Sequence, residues 1–184
     1  MIKEKTSLPH PVTGAKLDLL DIFNGRDGSY MGFGSDLDER QFRGELEVKH
    51  IAGGKGISLK FKAVGINGTD FNNPINLFNQ DTISYNEEYS TIAYDTDNRL
   101  SLWTISSNIP TMVKFGLRRY REVSQDKHIF IFGFGEPDDG SVFREEITIE
   151  LSGNNEFAYN YSWGQSDGMF LARWSAIMKR IIAG

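Results

Sequence analysis

Polar and apolar side chains alternate one by one through residues 45–49 and again through 57–63. Between the two runs lies Ala52-Gly53-Gly54-Lys55-Gly56. A repeat of two is that of a strand with one buried face, and a glycine-rich joint lets the chain reverse, so the spacing predicts a β-hairpin over 43–63. A lone hairpin leaves two edges of unpaired backbone groups. The rest of the chain must cover those edges or close upon them.

Further strand-like runs lie near 28–36, 82–87, 89–95, 99–106, 111–123, 127–135, 143–151, 155–163 and 168–180. Their joints carry turn chemistry, as in Asp95-Thr96-Asp97-Asn98, Pro137-Asp138-Asp139-Gly140 and Ser152-Gly153-Asn154-Asn155. With the hairpin this makes about eleven strands, mostly in sequential pairs. Leu17, Leu19, Leu20, Ile22 and Phe23 crowd together before Asn24-Gly25 and predict a helix of about two turns with Gly25 as its C-cap. The tail 176–182 fits strand and helix equally. Residues 1–16 read as an extended lead-in, and 17–184 as a single domain. A meander of this length loses its edges by closing. The expected fold is therefore all-β: an antiparallel up-and-down barrel of about 8–10 strands with a short N-terminal helix over one end. A β-sandwich is the alternative, but its Greek-key crossovers fit poorly with such short joints.

Composition excludes several function classes. Twenty Lys and Arg against twenty-five Asp and Glu give a net charge of −5, which lacks the basic face that releases counterions from nucleic acid. With no cysteine there is no disulfide, thiolate metal site or Cys nucleophile. The first residues show no apolar signal region, and no run is long enough for a membrane-spanning helix, so a cytoplasmic protein is expected. No nucleic-acid or membrane-spanning role follows. The oligomeric state is not legible here, and a homodimer is allowed.

Gly28-Ser29-Tyr30-Met31-Gly32 resembles the Gly-x-Trp-x-Gly opening of lipocalin-like (calycin) barrels, with Tyr30 in the Trp place after a short helix. Tyr94-Asp95 with Leu100-Ser101-Leu102-Trp103, and Phe157-Ala158-Tyr159 with Gly168 and Arg173-Trp174-Ser175, are similar to hairpins of uncharacterised bacterial lipocalin-like domains. The resemblance covers roughly residues 25–180. It implies a cavity for a small apolar or amphipathic ligand, and a barrel base where Gly28, Tyr30 and Gly32 meet an Arg from a late strand, here Arg173. Some related barrels hold haem on a C-terminal His. This sequence has Arg173 there and no His, so no cofactor is expected. No His-Glu-x-x-His or similar cluster suggests a metal.

The candidate ligand-binding residues follow from strand phase. Arg119 shares phase with Val113, Phe115 and Leu117, which aims it inward if that face is core. It would then hold a ligand carboxylate, pair with Glu145, or reach water at a strand end. Glu145 is in phase with Ile147, Ile149 and Leu151. Tyr159 and Tyr161 are in phase with Phe157 and offer hydroxyls. Trp103 and Phe132 belong to aromatic runs that line a cavity or fill a core. His50 follows Leu46 and Val48 by the strand period, whereas His128 reads as an ordinary half-buried His. No catalytic motif is present. The leading functional expectation is a barrel that binds a small apolar or amphipathic molecule, including a carboxylate. The alternatives are a small barrel enzyme (lyase, cyclase or isomerase) using Glu145 and a Tyr, and a filled-barrel interaction module working through loop 67–80.

Overall fold

Alternating burial along strands such as Gln41–Ile51 and Glu145–Ser152, and turn residues between strands, accompany ten antiparallel strands. The computed structural model describes residues 16–65, 83–107, 109–136, 139, 141–165 and 168–181. The strands are β1 (Gly28–Asp36), β2 (Gln41–Ile51), β3 (Gly56–Gly65), β4 (Ile83–Tyr94), β5 (Leu100–Ser106), β6 (Ile109–Ser124), β7 (Lys127–Phe134), β8 (Glu145–Ser152), β9 (Glu156–Gly164) and β10 (Phe170–Arg180). Each pairs with its sequence neighbour, and β1 pairs with β10, so the sheet closes as an up-and-down barrel. Closure leaves no free edge.

Two details differ from the sequence expectation, and one open choice is resolved. The runs 82–87 and 89–95 form one strand, β4, since Asn86, Glu88 and Ser90 keep inward phase with Ile92 despite their polarity. The tail, open between strand and helix in the sequence, is strand through Arg180 as the 168–180 run predicts, held by pairing with β1. The helix α1 is one turn, Leu19–Ile22, capped by the Asp18 side chain and ended at Phe23 rather than by Gly25. Loop 67–80 lies outside the described residues, as does His10.

The helix end of the barrel is packed solid. Leu19, Ile22 and Phe23 from α1 insert into it, and the Phe23 ring meets Phe130 at 6.0 Å. Full burial of one such side chain contributes about 1.5–3 kcal/mol. Tyr30 lies in this base, donating its hydroxyl hydrogen bond to the Arg26 carbonyl at 2.6 Å. The Arg26 guanidinium donates to the carbonyls of Ile22, Gly153 and Asp126, which ties α1 to two turns.

Tyr30 of the opening motif thus lies at this base, and the arginine beside the motif is not Arg173. Arg180 of β10 sits at the base, donating to the carbonyls of Gly25 and Asp27, and its Nε lies 3.1 Å from where a Gly28 Cβ would be. Arg173 is at the opposite end. Gly32 has its own steric reason: a Cβ there would lie 1.9 Å from the Ile177 carbonyl oxygen, because β1 presses against β10.

Candidate functional site

Above the packed base lies a layer of rings. Phe61 stacks on Trp174 at 4.8 Å between centroids, and Tyr159 and Tyr161 lie 5.1 and 6.0 Å from the same indole. Over this layer a cavity of about 940 Å³ opens at the end away from α1. Phe115, Ile147 and Val113 line its wall, and Met112, Phe134 and Phe143 are exposed around its mouth. The scale suits a small organic molecule.

Three carboxylic acids line this space: Asp36, paired with Arg40 at 2.7 Å, and two glutamates with no cation partner among the described residues. Glu145 at the start of β8 is 3% exposed and lines the cavity. It accepts a hydrogen bond from the Tyr161 hydroxyl, which in turn accepts from the Trp163 indole N–H at 2.8 Å. Glu88 of β4, 7% exposed, lines the same cavity. It accepts from the Tyr159 hydroxyl and from Ser90 Oγ at 2.9 Å. Pairing of β8 with β9 sets Ile147 opposite Tyr161 and Ile149 opposite Tyr159, so the two phenols stand one above the other on one face.

Burial pushes both carboxyls above their ordinary range, partly offset by the phenol hydrogen bonds; for Glu88 the nearby Glu145 adds to the rise. Burial also raises Tyr159 and Tyr161, and their acidic neighbours push them further. Among the described residues no Lys, Arg or His forms an ion pair with either carboxyl. The wall can accept hydrogen bonds from a guest or balance a positive charge.

The sequence-derived candidates divide accordingly. Glu145 and Tyr161 reach the cavity, and Tyr159 reaches it through Glu88. Arg119 does not: its side chain is exposed on the outer wall. The cause is a β-bulge, since β6 pairs with β7 at Leu117–Phe132 and then at Arg119–Ile131, so Arg118 is the extra residue and the phase reverses. Tyr120 takes the inward place, packing 5.0 Å from Phe130. Neither a carboxylate anchored by Arg119 nor an internal Arg119–Glu145 pair survives this reversal.

Arg173 lies at the rim because β10 starts there, with Trp174 opposite Asp36, and it is the extra residue of a second bulge between Ala172 and Trp174. Its guanidinium lies 3.6 Å from the Trp163 ring centroid. Trp103 is paired with Lys114 on the outer wall, with the Lys114 ammonium over its ring. Phe132 is fully buried in the filled core, stacked on Phe130. His50 keeps strand phase with Val48 but lies at the helix end, 2.6 Å from Asp27 Oδ1. His128 engages both ring nitrogens, with Tyr120 at 2.9 Å and the Gln125 carbonyl at 3.1 Å. Among the described residues no group of His, Asp and Glu is placed to hold a metal ion.

Glu88 and Trp174 escaped the sequence reading. Counting back from Ile92 in steps of two reaches Ser90, Glu88 and Asn86, but Glu87 and Tyr89 between them are equally compatible with an inward face. Trp174 was read only as part of a closing hairpin, and the neighbouring bulge hides its phase.

Comparison with solved structures finds the same architecture. Rv2717c from M. tuberculosis matches with a TM-score of 0.64 at 11% identity, covering 90% of this chain and 99% of that one. That likeness shows the fold alone. The phycobiliprotein lyase CPES from Guillardia theta is more distant, at TM-score 0.47 and 12% identity over 92% and 95% of the two chains. So is a de novo designed fluorescence-activating β-barrel, at 0.42 and 14% over 90% and 99%. No family model and no curated protein matches the chain. No helix among the described residues is long and apolar enough to cross a membrane.

Proposed function

We propose that this protein is a lipocalin-like barrel that binds a small amphipathic molecule in the cavity above the Phe61–Trp174 layer. The observation that carries this reading is the coexistence of a packed base and an open upper half. A filled-barrel module would have side chains where the 940 Å³ space lies. An aromatic floor and an apolar mouth suit the body of a ligand, and a few converging polar groups suit its polar end. Such sites are largely pre-formed, so binding needs little rearrangement of the barrel.

The barrel-enzyme alternative keeps one specific support. Glu145 and Tyr161 share a hydrogen bond in a half-dry site, an arrangement that can move a proton to or from a bound carbonyl compound. The two readings differ in the fate of the ligand: a carrier returns it unchanged, and an enzyme returns a product.

The test is a thermal-shift and calorimetric screen of the full chain against small alcohols, amines, fatty acids and aromatic acids. Bound compounds are then extracted and analysed by mass spectrometry. Saturable one-to-one binding with unaltered ligand is the expected result. Binding with chemical conversion would favour the enzyme, and no binding across the panel would overturn both.

A further inference from the structure

The ligand class can be narrowed from the charges that the cavity presents, an inference resting on the cavity-binding reading above. Glu145 Oε1 is taken by Tyr161, whereas Glu145 Oε2 has no protein partner among the described residues. Glu88 sits deeper and is held by Tyr159 and Ser90. Both carboxyls have only hydroxyl donors around them, and a buried carboxylate is costly without a cation.

Three cations among the described residues line the same cavity, and none is paired with either glutamate. Arg40 is bound to Asp36 and Asp38, Lys114 to Asp95 Oδ2 at 2.7 Å, and Arg173, with no acid partner among the described residues, is stacked on Trp163. Trp174 and Tyr161 present further ring surface beside the acids, which attracts a cation.

From this arrangement we infer that the cavity selects an amine: a primary or secondary ammonium group on an apolar, preferably aromatic, body, with the ammonium donating to Glu145 and the body lying on the Trp174 and Tyr161 rings. A guest carboxylate in the same place would set a third acid beside Glu88 and Glu145. A guest ammonium supplies the missing countercharge and makes a charge-assisted hydrogen bond.

Three probes with one apolar body separate the possibilities: 1-naphthylmethylamine, 1-naphthylmethanol and 1-naphthoate, titrated calorimetrically into the full chain at neutral pH. The amine should bind about tenfold or more tightly than the alcohol, with the carboxylate weakest. In Glu145→Gln, which keeps an acceptor for Tyr161, the preference for the amine over the alcohol should shrink from about tenfold to within about threefold. The three-probe comparison on the wild-type chain stands without any variant. Equal binding of all three would overturn the amine assignment and leave the cavity reading intact. A carboxylate that binds tightest and weakens in Arg173→Gln would replace it with an anion held at the rim. Binding of none of the three, with no hit in the wider screen, would overturn the cavity reading and the amine with it.

Discussion

Glu145 combines a charge-bearing group with almost complete burial, and that has a consequence for stability. Its carboxyl is raised mainly by burial, against the hydrogen bond from Tyr161. A raised native value means that the folded state keeps a proton the unfolded chain has already released. Stability then falls as pH climbs from the ordinary carboxylate value to the native one, and below the ordinary value nothing is lost. Glu145→Gln removes that loss. Thermal melts from about pH 4 to pH 8 should show the variant gaining on wild type as pH rises, by up to about 1.4 kcal/mol per pH unit between the two values and less where cavity water screens the carboxyl. A difference that stays constant with pH would mean an ordinary carboxyl. Arg119 gives the opposite prediction. Its side chain is exposed outside the barrel, so Arg119→Met should leave ligand affinity within about twofold of wild type and change stability by less than about 0.5 kcal/mol.

At the scale of strands, the closing seam between β1 and β10 depends on Gly32. The nearest atom to an added Cβ is backbone, the Ile177 carbonyl oxygen at 1.9 Å, and it cannot swing away as a side chain can. Gly32→Ala should cost about 3 kcal/mol or more in urea denaturation, because the two strands must part to admit the methyl. Much of this architecture was legible in the sequence. Period-two alternation and turn residues predict the hairpin, the meander and its closure. What alternation cannot show is a bulge. An extra residue at Arg118 turns Arg119 outward, and another at Arg173 obscures the phase of Trp174. Neither position carries a Gly or Pro to announce the irregularity. The inward face of β4 was hidden differently, because Asn86, Glu88 and Ser90 are polar residues on a buried face. Buried carboxyls break the pattern by which core residues are recognised.

The whole molecule divides into a packed base and an open upper half that we propose holds the ligand. Arg26 belongs to the base, its guanidinium spanning carbonyls of α1 and of two turns. Arg26→Met leaves those carbonyls without a donor and should cost about 2–3 kcal/mol by chemical denaturation. Below the melting temperature, affinity for a cavity ligand should stay unchanged. A substitution at the base that altered affinity would show that the two ends are coupled. At the mouth the reverse holds. Val113 lines the cavity wall, and Val113→Trp should fill part of the space and abolish binding while the barrel stays folded.

The central claim is that the upper half of the barrel holds a small molecule, and native mass spectrometry of the full chain purified from its own source tests it most directly. The account predicts a wild-type mass that exceeds the chain by one small molecule, lost on gentle activation and absent from Val113→Trp. A bare wild-type mass, or an adduct that persists equally in Val113→Trp, would contradict it.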